Sequence, residues 1–579
     1  MSAAGRRLAF GYSDVTVEHD LECVLPDGVV LRADVYRPVA EGSLPVLLMR
    51  LPYNKTHGGA NWGYAHPAWY ASRGYVVVIQ DVRGRYASDG DFYPFRDEGR
   101  DGYETVEWAA GLPGANGKVG MYGFSYPGAT QVLAAAERPP SLAAIAPGFT
   151  SAQFYEGWTY NGGAFSLASM AGWASFLALE SARRRGDEAA HAGLLGGLGA
   201  APALFWKLPL RDYLPLLDVD APYFRDWLEH STYDDYWRAT AVDEDFSRIA
   251  VPALHLGGWY DTFHAGTVRS FVGVREAHAG GEVAAQQKLL MGPWQHSPWR
   301  SVARQPRRDV GPNEIDDWHL RFFDHVLKGE RTDVFAAAGR VFVLGEGWRD
   351  VPDWPPPEAA EAAYYLHSDG RANSAYGDGS LSTEPPADER PDIYLYDPLM
   401  PSVSHGGHSC CDESIAPMGP ADQEAYEATK GVLVYTSAPL ERDLVLLGDA
   451  CVELHAASTA ADTDFTVRLC AVDRDGRSTN LKEGIVRARF RASLSNPTPL
   501  EPGEVVGYRI PLGPIGIRLE AGQRIRLDVS SADFPQWDRN LNTGGALGAE
   551  PATAAVVATQ TVFHDALRPS RLLLPVVPS

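Results

Sequence analysis

Apolar and polar residues alternate through VTVEHDLECVL and again through VVLRADVYRP, with Pro26-Asp27-Gly28 between them. A period of two marks half-buried strands, and the Pro-Asp-Gly step reverses the chain, so this region predicts a β-hairpin. Farther on, Val46 to Met49, Tyr75 to Ile79 and Val119 to Tyr122 are short, unbroken apolar runs. The stretches between them, such as DEGRDGYETVEWAAG, carry apolar residues at helical spacing. Strands that alternate with helices predict a mostly parallel sheet.

After the strand-like LAAIAPG (residues 142–148), the next clear buried strand is VPALHLGG (251–258). That interval is too long for one crossover. Its content, including FYEGWTY, GWASFLALESARRR, HAGLLGGL and FRDWLEH, is helical, aromatic and apolar, which predicts an inserted helical cap. QKLLMGP then reads as a further strand and WHLRFFDHVLKG as an amphipathic helix. Near Gly339 the pattern turns to alternation broken by Gly, Pro and Asp, as in VFVLGEGW, TDFTVRLCAV and RIRLDVSS, so an all-β domain is expected from there on. Residues 374–390, polar and rich in Gly and Pro, read as a long surface loop within it.

Composition changes this picture little. At 579 residues the chain is expected to hold two or three packed units. A net charge of -23 disfavours the phosphate backbone of nucleic acid and an anionic membrane surface alike. No run is long and apolar enough to span a bilayer, and none behind Arg6 and Arg7 reads as a secretion signal. Five cysteines spread along the chain do not make a disulfide framework, so a cytoplasmic setting is expected.

The chemistry concentrates in KVGMYGFSYPG, where a buried strand ends in Gly-x-Ser-x-x-Gly and the helix-prone ATQVLAAAERPP follows. Gly123 and Gly128 would let strand and helix approach closely, so that a tight turn exposes the Ser125 hydroxyl above the sheet edge. The fifth position is Pro127, where the usual elbow has glycine. Such a serine needs a base, and the base needs a carboxylate, in the order Ser, acid, His. Asp261 follows the strand VPALHLGGWY and His296 the strand QKLLMGPW, each at the carboxyl edge where ligands bind a parallel sheet. His255 and His264 are rival bases, the first inside a strand and the second within the helix after Asp261.

With these residues assembled, the chain resembles the cocaine esterase and X-Pro dipeptidyl-peptidase group of α/β hydrolases, which also includes α-amino acid ester hydrolases. The resemblance rests on PVLLMRLPYNK, DVRGRYASDGDF, GFSYPG, GGWYDTF, GPWQHS, STAADTDFTVRL and ATQTVFHDALRPSRLLLPV, in that order and over nearly the whole chain. It implies an α/β-hydrolase core (1–150 and 248–338), an inserted α-helical cap (151–247) and a C-terminal all-β jelly-roll domain (339–579). It also implies Ser125 as nucleophile, Asp261 as acid and His296 as base. An oxyanion hole would form from the Tyr53 hydroxyl and the Tyr126 amide. Trp158 and Trp173 fall at the spacing of two tryptophans lining the family's acyl pocket, with Phe165 between them as a third candidate.

Asp261 is followed by Thr262, Phe263 and His264, without the carboxylates that hold a substrate ammonium in the α-amino acid ester hydrolases. Dipeptidyl peptidases of the group also carry an extra N-terminal domain, which is not expected here. The expectation is a carboxylesterase for esters of small acyl groups, needing no cofactor, with self-association left open. An amidase, acylase or dipeptidyl-peptidase using the same triad is the alternative. A jelly-roll carbohydrate-binding protein with a vestigial triad is the non-enzyme one.

His405, His408, Cys410 and Cys411 form a cluster in SHGGHSCCDES. Its spacing suits a closed tetrahedral zinc site poorly, so a plain loop without metal is expected. An adjacent-cysteine disulfide is not expected in a reducing compartment.

Overall fold

In the computed structural model, which describes residues 6–7, 14–39, 42–56, 64–296 and 314–578, an 11-stranded sheet organises the first part of the chain. The reading of the first residues as lacking a secretion signal falls mostly outside the described residues, as does Ser297. The strands are β1 (Arg6–Arg7), β2 (Val15–Val24), β3 (Val30–Pro38), β4 (Leu44–Leu51), β5 (Val76–Asp81), β6 (Ala115–Phe124) and β7 (Leu142–Gly148). A small separate hairpin, β8 (Tyr160–Asn161) and β9 (Ala164–Phe165), is followed by β10 (Ala253–Tyr260), β11 (Gln287–Gln295), β12 (Gly339–Val343) and β13 (Gly347–Val351). The order across the sheet is β1-β2-β3-β5-β4-β6-β7-β10-β11-β12-β13. Neighbours from β5 to β12 run parallel, while β2 and β3 form the antiparallel hairpin expected around Gly28.

The unbroken apolar runs follow from burial on both faces. Val46 and Leu48 of β4 pack with Val106 and Ala109 of helix α1 (Glu98–Ala110) and Val132 of helix α2 (Tyr126–Ala136). Their neighbours Leu47 and Met49 point the other way, into a core shared with Phe322, Phe323 and Leu327. Between β7 and β10 the chain forms helices α3 (Leu167–Arg185) and α4 (Glu188–Gly199) with several shorter turns. α3 stops at Gly186, which takes the left-handed φ of 69° after three arginines that favour the helix's negative end. Helix α5 (His264–Ala277) links β10 to β11, and helix α6 (Glu314–Lys328), which carries the Phe322, Phe323 and Leu327 side chains, precedes β12.

Beyond Val351 a second, 12-stranded sheet carries its own core, including Leu454, Phe465, Leu527 and Leu572. The change of pattern at Gly339 does not coincide with the start of this sheet. β12 adds in parallel to β11 and β13 pairs back on β12, so Gly339–Val351 extends the first sheet. Alternation identifies a strand but does not say which sheet accepts its hydrogen bonds. The loop expected over residues 374–390 contains a short strand, Ser380–Ser382, paired with Ala360–His367.

Candidate active site

Ser125 stands where β6 becomes α2, with φ 63° and ψ -128°. A residue with a side chain rarely adopts that backbone, and here it is held by packing. The Ser125 amide donates to the Gly148 carbonyl at 2.9 Å. A Cβ on Gly123 would lie 2.6 Å from Pro127 Cβ, and one on Gly128 would lie 2.7 Å from the Gly148 carbonyl oxygen. Both positions therefore require glycine. Pro127 departs from the expected glycine at no cost, because the first turn of a helix needs no proline N–H. As the first residue of α2, Tyr126 has no carbonyl within its own helix for its amide. Its phenol donates to Glu98 Oε1 at 2.8 Å, and Glu98 pairs with Arg50 at 2.9 Å.

His296, at the end of β11, places Nε2 2.9 Å from Ser125 Oγ and Nδ1 2.7 Å from Asp261 Oδ1. Asp261 is fully buried at the end of β10. The rivals are occupied elsewhere. His255 lies inside β10 with Nε2 3.0 Å from Gln287 Oε1, and burial pushes its imidazole down to about 4. His264 Nδ1 donates to the Asp261 carbonyl at 2.7 Å, and burial holds its pKa well below the ordinary value.

Tyr53 approaches from the loop after β4. Burial pushes its phenol far above the ordinary range, and its hydroxyl faces the Ser125 side chain and Trp173 Nε1, which donates to it at 3.1 Å. The loop is tied down from both sides. The Lys55 amide donates to Asp81 Oδ1 at 2.7 Å, and Lys55 Nζ pairs with Asp34 at 2.6 Å. Arg85 donates to the Pro52 carbonyl at 3.1 Å and to Leu177 of α3 at 2.9 Å. Burial pushes Asp81 up to about 7 even with two backbone amides and Lys55 against it. The motif DVRGRYASDGDF contained Asp81 and Arg85, but nothing local in it indicated that they position Tyr53.

Beside Ser125 opens a cavity of about 570 Å³ with mostly apolar walls. Trp158 and Trp173 line it; Phe165 does not. Phe165 is fully buried against Tyr160 and Phe224, because its hairpin turns it toward the helices rather than toward Ser125. No local pattern in the sequence marks Phe263 as a wall residue. It lines the cavity, stacks on Trp158 at 3.9 Å and meets the His296 ring edge-on at 5.0 Å.

The SHGGHSCC cluster divides. His408 turns away, with Nδ1 against Glu483 and Nε2 2.8 Å from the Trp259 carbonyl. Burial works to raise Glu483, but His408 beside it wins and carries the carboxyl down to about 2. Cys410 and Cys411 instead form part of the cavity wall and are joined by a disulfide, contrary to expectation. Cys411 takes φ 86°, a turn that brings the two sulfurs to one side. An inference from compartment carries no information about such local geometry.

Residues 27–298 match the model of the X-Pro dipeptidyl-peptidase (S15 family), and residues 335–573 match the X-Pro dipeptidyl-peptidase C-terminal non-catalytic domain. Cocaine esterase from Rhodococcus sp. (strain MB1 Bresler) is 37% identical over 572 residues, 95% of this chain and 97% of its own. Among solved structures, an α-amino acid ester hydrolase superposes with TM-score 0.82 at 22% identity over 98% of both chains. An aminopeptidase from a marine sediment Thaumarchaeota archaeon does so with TM-score 0.81 at 23% identity, over 100% of this chain and 99% of its own. These two share the fold: an α/β-hydrolase-like part followed by an all-β part. Motif order, sheet topology and a relative of this identity along nearly the full length agree, and the chain belongs to the X-Pro dipeptidyl-peptidase (S15) family.

Proposed function

We propose that this protein is a serine carboxylesterase in which Ser125 forms an acyl-enzyme, His296 moves the proton and Asp261 holds the imidazole. The chain of contacts from Ser125 Oγ through His296 to Asp261 carries this reading. His296 takes the Ser125 proton as the hydroxyl attacks the carbonyl, then returns it to the departing alcohol. Water activated by the same imidazole releases the acid. Tyr53 Oη and the Tyr126 amide stabilise the oxyanion, because both donors are fixed before charge develops between them. Trp158 and Trp173 contact the acyl group. No step calls for a metal or an organic cofactor.

Residues 151–247 act as a helical cap over a core formed by 1–150 and 248–351, and the C-terminal domain is a jelly roll. The substrate is an uncharged small-molecule ester, since the cavity walls are mainly apolar. Among the described lining residues the one carboxylate is Asp412, exposed and already accepting from Ser414, which disfavours an α-amino ester or dipeptide amine. The acidic surface disfavours nucleic acid. None of the described helices is long and apolar enough to cross a membrane. Labelling by a fluorophosphonate tests the assignment, together with hydrolysis of aryl esters varied separately in acyl and alcohol parts. A folded protein that neither labels nor hydrolyses any of them would sink it.

A further inference from the structure

The disulfide in the cavity wall lies directly against the machinery that makes Ser125 reactive. The donor atoms of Cys410, Cys411 and His296 all lie within 4.8 Å of one another. In a tetrahedral zinc site with Zn–S about 2.3 Å and Zn–N about 2.0 Å, ligand atoms stand roughly 3.5–3.8 Å apart. The separations now present exceed that spacing by about 1 Å at most, a shift of the order that side-chain rotation supplies once the S–S bond is open.

We propose that the reduced Cys410/Cys411 pair, with His296 Nε2, binds a thiophilic divalent cation that switches off hydrolysis, whereas the disulfide form does not bind it. Three features of the site favour such an ion. Two thiolates neutralise a dication, so the complex brings no net charge into an apolar cavity. Sulfur with imidazole is the donor set preferred by zinc-like ions, and solvent fills the fourth position. Asp261 already accepts from the Nδ1 side of His296, the carboxylate–histidine arrangement that orients a metal-binding imidazole. Cys411 is exposed while Cys410 is buried, so reductant and ion have a way in.

A phosphine reductant takes the oxygen of one water and becomes the phosphine oxide, and its electron pair with that water's two protons converts the disulfide to two thiols. The cation releases both thiol protons to solvent and occupies the Nε2 lone pair. Ser125 Oγ then has no base. The inhibition rests on the role proposed for His296; the binding does not.

Titrating the phosphine-reduced, full-length protein with Cd²⁺ tests the proposal, read by thiolate-to-metal charge-transfer absorption and by aryl-ester hydrolysis on the same samples. The expected result is absorption saturating at one ion per chain, with the rate falling in parallel and returning on addition of a chelator. The oxidised protein should show neither effect. Cys410→Ser/Cys411→Ser should lose the absorption, which also separates this site from the buried Cys23, Cys451 and Cys470. His296→Asn should keep it with affinity reduced roughly tenfold or more. That arm reads binding without activity, so it stands even if the esterase reading fails. Equal absorption in the oxidised protein or in the double-serine variant would overturn the proposal. So would a saturated band with hydrolysis at the full rate.

Discussion

Trp173 Nε1 donates a hydrogen bond to Tyr53 Oη at 3.1 Å, so one side chain both lines the cavity and fixes the phenol that faces Ser125. Trp158 lines the same cavity, but its Nε1 has no hydrogen-bond partner among the described residues. The two tryptophans should therefore behave differently. Trp173→Phe should lower kcat on every ester by about fivefold, the worth of one hydrogen bond near 1 kcal/mol, as well as shifting acyl preference. Trp158→Phe should shift preference only. Steady-state rates across an acyl series distinguish these outcomes, and equal kcat losses in both variants would refute the distinction.

Tyr53→Phe removes the hydroxyl while keeping the ring. In the oxyanion role proposed for it, loss of this donor costs about 3 kcal/mol, so kcat should fall roughly 10²–10³-fold with KM little changed. Because burial raises the Tyr53 phenol, it stays protonated across the working range, and the wild-type pH–rate profile should show no loss attributable to it below about pH 10. An alkaline limb that disappears in Tyr53→Phe would contradict this.

Ser125 pays for its exposure in backbone strain. Ser125→Ala and Ser125→Gly should both abolish fluorophosphonate labelling and lower kcat by roughly 10⁴-fold or more. They should differ in stability. At φ 63° glycine is unstrained and alanine is not, so Ser125→Gly should be the more stable by about 1 kcal/mol in urea unfolding. Equal midpoints would mean that the turn stores no strain.

Phe165→Leu should cost about 1–2 kcal/mol of stability with acyl preference unchanged. Its ring packs in the core, and its backbone exchanges hydrogen bonds with Asp538 of the C-terminal domain at 2.7 and 2.9 Å. A changed preference at unchanged stability would return it to the substrate site.

His255 links stability to pH. Its folded pKa, about 4, lies below the unfolded value near 6.5, so the unfolded chain binds more protons between those limits. The stabilisation it offers is full above about pH 6.5 and erodes as the pH falls toward 4. Replacing it with a non-titrating donor, His255→Gln, should shrink the stability difference between about pH 7 and 4.5 by roughly 2 kcal/mol. Parallel pH–stability curves for variant and wild type would rule this out.

The turn at Ser125 is legible in the residues around it. Strand, tight turn and helix around Ser125 are local signals, as are the strand ends before Asp261 and His296, because alternation, turn residues and glycine spacing act over a few positions. Tertiary structure decided everything that depends on contacts between distant segments. It aimed Phe165 away from the cavity, gave β12 and β13 to the first sheet and set Phe263 against His296. It also hung the Tyr53 loop from Asp81 and Arg85, and brought Cys410 and Cys411 into the cavity wall shared with Ser125, almost three hundred residues away in the chain. Such pairings are selected by burial and by hydrogen bonds that only the folded chain can form, and no period along the sequence records them.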